Sequence, residues 1–125
     1  MPRYSITPEA ARHLRDIARW SADRWGAARA RLYIEDLRAG FAFIAGKPQA
    51  IPGRSRLTGP ADLRLYRVRQ HYIVFASVAE DHVAIIGILH ERMDVPVHLE
   101  SLQARTAAAL DELRSLDLRN TPGRD

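Results

Sequence analysis

Three apolar segments, Leu63–Val68, Tyr72–Val78 and Val83–Leu89, follow one another in the second half of the chain, separated only by Arg69-Gln70 and Glu80-Asp81. They are rich in β-branched and aromatic residues, and breaks that short predict a three-stranded antiparallel meander. Upstream the period changes. After a short candidate strand at Arg3–Ile6, Thr7-Pro8-Glu9 has the chemistry of a helix start: a hydroxyl N-cap, a proline with φ preset for N1, and a carboxylate at the positive end of the dipole. Ala10, Leu14, Ile17, Ala18 and Ser21 then form one narrow stripe, with Arg12, Arg15, Asp16, Arg19 and Asp23 outside it. Trp25-Gly26 closes this helix, with Gly26 as αL cap, and a second begins almost at once. Its apolar positions Ala30, Tyr33, Ile34, Leu37, Phe41 and Ile44 recur at helical spacing until Gly46-Lys47-Pro48 stops it. So tight a link predicts an αα-hairpin whose stripes are core, not cofactor sites.

The run to Pro60, with Pro52, Gly53 and Gly59, reads as an irregular loop. After the meander, Pro96 at N1 reopens helix, and Leu99, Leu102, Thr106, Leu110 and Leu113 place one apolar seam on a helix of about residues 96–116. That seam must bury against this chain's own sheet, a second copy or a partner helix, and its own sheet is the default. The expected order is β-α-α-β-β-β plus a C-terminal helix, an α+β fold with a mainly antiparallel sheet packed by the helical hairpin. One domain is expected over 1–118, with its core in 3–94 and a frayed tail at 119–125.

At 125 residues a chain buries roughly two-thirds of its unfolded surface, enough for a core without metal or disulfide. Cysteine is absent, which removes a disulfide framework and a thiolate nucleophile and suits a reducing cytoplasm. The start MPRYSITPEA has no apolar signal region and Val83–Leu89 is too short to span a bilayer, so a soluble cytoplasmic protein is expected. Net charge is +4 with a pI near 10.1, carried almost wholly by arginine, since Lys47 is the only lysine. The distribution narrows this: between Arg54 and His71, arginines 54, 56, 64, 67 and 69 face one acid, Asp62. A second polar knot, His90-Glu91-Arg92-Met93-Asp94, stands where the last strand runs out. Planar guanidinium forks suit carboxylates and phosphates, so an acidic protein or a nucleic acid could meet this region.

The residues at this point resemble the ParE branch of the ParE/RelE toxins of bacterial toxin–antitoxin systems. The resemblance rests on Tyr4-Ser5-Ile6-Thr7-Pro8-Glu9-Ala10, on Trp25-Gly26 with Ala30, Tyr33 and Leu37, and on Pro48 and Gly53-Arg54. It continues with Leu63-Arg64, Arg67-Val68 and His71, and closes with Ile88-Leu89-His90-Glu91-Arg92-Met93-Asp94. It implies a helical hairpin packed on one face of a sheet, a cognate ParD-like antitoxin whose C-terminal segment folds onto the toxin, and DNA gyrase as target. It also admits a toxin homodimer in complex with antitoxin. RelE-like members instead cut messenger RNA on the ribosome, and the two branches share a fold. This chain departs from the family at Phe75-Ala76, where Tyr-Arg is common, at Gly87, where an arginine often stands, and in its extension beyond Asp94.

Metal-independent RNA cleavage needs groups to stabilise a charged phosphorane and to move protons. Arg64 and Arg67 could serve the phosphate and His90 or His98 the protons, with Arg92 alongside. Strand alternation, however, sends Arg64 and Tyr66 one way and Leu65 and Arg67 the other, so the set is incomplete and no catalytic residues are assigned. His71 and His82 are expected to be exposed, and Glu91 to point away from His90. No metal-ligand spacing, cofactor motif, phosphate loop or nucleophile elbow is present. Arg54, Arg64, Arg67, Arg69, His90, Arg92, Met93 and Asp94 therefore read as a surface for binding target or antitoxin, and direct nucleic-acid binding is not expected.

Overall fold

In the computed structural model, which describes residues 3–47, 63–79, 81–102, 104 and 115, the chain begins with β1 (Arg3–Ile6), followed by α1 (Pro8–Trp25) and α2 (Ala27–Gly46). The meander follows as β2 (Arg64–Val68), β3 (His71–Ala79) and β4 (His82–His90). Residues 95–102 form the described start of α3, and residues 104 and 115 are helical too. The sheet order is β1-β4-β3-β2, with β1 parallel to β4 and the other neighbours antiparallel. This is the α+β arrangement the periodicity predicts.

The local causes are those legible in the chain. Thr7 caps α1, its Oγ1 accepting from Ala10 N–H at 3.2 Å, with Pro8 and Glu9 in the first turn. Gly26 sits at φ 93° and ψ 160°, outside the expected αL well, and its N–H donates to Ala22 O. A side chain rarely tolerates that φ, so one glycine ends α1 and starts α2. The second helix runs to Gly46, with Lys47 as its C-cap. At the far end, His98 N–H donates to Asp94 O and Val97 N–H reaches Asp94 Oδ1 at 3.5 Å. Asp94 is thus the N-cap of α3, which starts at Val95, one residue ahead of the expected Pro96.

Side-chain alternation along β3 and β4 divides the core between two faces. Ile73, Phe75, Val83, Ile85 and Ile88 pack with Leu14, Leu37, Phe41 and Ile44 of the hairpin. Val74, Ala76, Ala84, Ile86 and Leu89 pack with Leu63, Leu65, Leu99 and Leu102. The sheet is therefore covered by the hairpin on one face and by α3 on the other, and the continuous apolar run of β4 follows from two-sided burial. The register steps from Val74↔Gly87 to Phe75↔Ile85, leaving Ile86 as the extra residue of a β-bulge.

Among the described residues no strand lies on the β1 side of β4 beyond Ile85, and the start of α1 with its cap takes over that edge. Thr7 N–H donates to Ile85 O, Thr7 Oγ1 donates to Ile86 O, and Ile88 N–H donates to His13 Nδ1 at 3.0 Å. Buried backbone groups left unpaired would each cost about 1–3 kcal/mol, so Thr7 and His13 take the place of a longer β1. Among the described residues no helix is long and apolar enough to cross a membrane.

Candidate functional site

The arginines of β2 separate as alternation requires. Tyr66 and Val68 pack toward the hairpin, which puts Arg64 on that side, while Leu63 and Leu65 pack toward α3 and Arg67 shares their side. Arg67 is already engaged: its Nη2 bonds Glu91 Oε2, its Nε donates to Arg69 O at 2.9 Å, and its guanidinium lies 5.9 Å from the Tyr72 ring centre. Arg69 occupies the first position of the two-residue turn at φ 54°, a conformation uncommon for a side-chain-bearing residue. The salt bridge from its Nε to Asp36 Oδ2, 2.5 Å, ties the turn to α2. Arg54 lies outside the described residues.

His90 closes β4 directly opposite His71. Its Nδ1 accepts from Arg92 N–H at 3.0 Å, and its ring stands edge-on to His71, 5.0 Å between centres. Glu91 N–H donates to Gln70 O, and Met93 N–H to His90 O, so the His90–Asp94 segment is a hydrogen-bonded turn braced on the β2–β3 hairpin. Arg92, Met93 and Asp94 are all exposed, Met93 at 44%, and of the three Asp94 is engaged as the cap of α3. His98 lies on α3 and lines a cleft of about 390 Å³ with Glu9, His13 and Met93.

His71 and His82 are buried, not exposed as their polarity suggests. His71 shares strand parity with Ile73 and Phe75, so the two-residue turn before it leaves its ring pointing under α2. There Tyr33 Oη lies 2.6 Å from His71 Nδ1. Burial lowers the His71 pKa to about 4, with His90 adding to the effect and Glu91 opposing it. The neutral ring accepts from the phenol, whose own pKa burial raises against a backbone hydrogen bond from Gln70. His82 starts β4 opposite Arg3, and β1 covers it, with Ser5 Oγ 2.6 Å from its Nε2.

His13, which no motif marks in the sequence, is engaged as well. Its Nε2 is 3.1 Å from Glu9 Oε2 while Nδ1 serves the β4 edge, and burial lowers its pKa against the pull of Glu9. The i, i+4 spacing of Glu9 and His13 was visible; the strand edge beside them was not.

These positions do not gather a nuclease constellation. Arg64 and Arg67 leave opposite faces, Arg67 is paired with Glu91, and one ring nitrogen of His90 is committed to a backbone N–H. Among the described residues no group of three or more His, Cys, Asp or Glu side chains could hold a metal ion. What remains is an exposed, arginine-bearing turn on a braced scaffold, suited to contact with another macromolecule.

Comparison with known proteins agrees with this architecture. The family model described as ParE toxin of type II toxin-antitoxin system, parDE, matches residues 4–95. The protein "Toxin ParE" of Escherichia coli is 38% identical over 99 residues, covering 79% of this chain and 94% of that one. "Toxin ParE1" of Mycobacterium tuberculosis (strain ATCC 25618 / H37Rv) is 29% identical over 97 residues, 78% of this chain and 97% of its own. A chain of the solved "Chromosomal ParDE TA system from P. aeruginosa" superposes with a TM-score of 0.60 at 17% identity, over 72% of this chain and 95% of that one, and shares its fold. The chain therefore belongs to the ParE toxin family of type II toxin–antitoxin systems.

Proposed function

We propose that this protein acts by binding and not by catalysis: a ParE-like toxin that inhibits DNA gyrase and is silenced by a cognate ParD-like antitoxin. The single observation that carries this is the extent of the family match, residues 4–95, which takes in the hairpin, the whole sheet and the His90–Asp94 turn. The dispersal of the groups an RNA-cleaving member would need supports it, because acid–base and phosphate-stabilising residues must converge on one reacting centre.

In this proposal Arg92 and Met93 make the target contact, on a turn held in shape by His90, Arg67–Glu91 and the Asp94 cap. Arg64, Arg69 and Arg54 contribute to antitoxin docking through charge-assisted bonds to an acidic segment. The test is a supercoiling assay with purified protein. Inhibition is expected, and Arg92→Ala is expected to weaken it about tenfold or more with antitoxin binding retained, the scale at which one interface arginine acts. His90→Ala should do the same by loosening the turn. Ribosome-dependent cleavage of message without effect on supercoiling would replace this reading with an endoribonuclease using Arg64, Arg67, His90 and Arg92. Antitoxin binding with neither activity would identify a degenerate member.

A further inference from the structure

A second surface lies at the tip of the helical hairpin. Trp20, Trp25 and Leu32 are 48%, 39% and 61% exposed, although large apolar side chains normally close the core. The two tryptophans are held by ring contacts. The two tryptophan rings meet edge to face at 5.3 Å, Trp25 leans on Tyr33 at 6.2 Å, Arg24 lies 5.2 Å from the Trp20 ring centre, and Arg29 5.7 Å from that of Trp25. Between residues 19 and 31 four arginines stand against a single acid, Asp23. Among the described residues neither Arg24 nor Arg29 meets a carboxylate within ion-pair distance.

Beside Trp25 opens a cleft of about 490 Å³ whose apolar wall is Trp25, Leu32 and Tyr33. Its polar wall is Arg29, Arg69 and Gln70, and its one acid, Asp36, is neutralised by Arg69. The composition is that of an interface hot spot, with rigid aromatics and arginine around an apolar socket. We propose that this tip docks an acidic peptide segment of a partner protein, which seats a bulky apolar side chain in the cleft and places carboxylates against Arg24 and Arg29. Charge complementarity selects an acidic occupant. Peptide is favoured over single-stranded nucleic acid because Arg24 lies over the Trp20 ring and Arg29 over the Trp25 ring, so a stacking base would compete with them while apolar contact at the ring edges would not. The inference holds whichever protein is the toxin's target.

The chain's two tryptophans both belong to this patch, so their emission reports on it directly. The full-length protein would be titrated with a synthetic peptide of glutamates flanking a Leu-Phe pair, with the same peptide carrying Gln for Glu, and with oligothymidylate. A saturable change in tryptophan emission with the acidic peptide is expected. It should weaken about tenfold in Arg29→Gln and with rising salt, and stay unchanged in Arg92→Gln. No saturable change, equal binding of the Gln peptide, or tighter binding of oligothymidylate would overturn the proposal. The Arg92→Gln arm keeps its outcome separate from that of the gyrase reading.

Discussion

His71 shows how one residue joins core to surface. It is 7% exposed, bonded to Tyr33 from α2, and packed edge-on against His90 at the site. Its pKa falls from 6.5 to about 4 on folding, so between those values the unfolded chain binds a proton that the folded chain refuses. Its contribution to stability is therefore fully present above about pH 6.5 and is lost as pH falls toward 4. His13, also lowered by burial, acts in the same direction, since protonation would take the acceptor from Ile88 N–H. Melting temperature is expected to drop across that window. In His71→Asn, whose Oδ1 can replace Nδ1 as acceptor without titrating, the drop should be smaller; an unchanged pH profile would show that His71 is not the source.

At the scale of elements, the contact to test is α3 on the sheet. A Cβ at Gly87 would lie 2.9 Å from Leu102 Cδ1 and 3.3 Å from the His13 ring, so α1 and α3 together close the space above this residue. A larger side chain at this position would therefore have to move Leu102 or His13. Leu102→Ala is expected to destabilise by about 2–5 kcal/mol, as for other buried leucines, by urea denaturation. Gly87→Ala alone should cost about 1–3 kcal/mol through overpacking, and less in the Leu102→Ala background, where the opposing methyl is gone. Strict additivity in that double-mutant cycle would mean that the two residues do not compete for space.

For the whole molecule, the two-faced sheet changes what an antitoxin must do. The hairpin covers one face, and the other carries an apolar cluster already occupied by Leu99 and Leu102. An antitoxin segment that docks on the meander must displace α3 or bind around it. Truncation after Asp94 should therefore lower the stability of the free protein, since Leu63, Leu65, Val74 and Leu89 lose their cover, and tighten antitoxin binding measured by calorimetry. Unchanged or weaker binding by a truncated chain that remains folded would place the antitoxin elsewhere.

Element type and order were legible in the chain because they depend on local periodicity, caps and turn chemistry: the Thr7-Pro8-Glu9 start, the Gly26 link, and the Arg69-Gln70 break all appear where the residues place them. Alternation also foretold that Arg64 and Arg67 part company. The place of β1 in the sheet was decided only by the tertiary structure, because short turns specify the pairing of the meander while nothing local specifies which strand β1 lies beside. The parallel β1–β4 pair buries His82, the edge left beyond Ile85 recruits Thr7 and His13, and the fold of α2 over the hairpin turn buries His71. The same assembly made Asp94 the cap of α3 as well as an exposed neighbour of Arg92 and Met93. Sequence supplied the basic turn; packing chose which of its side chains a partner can reach.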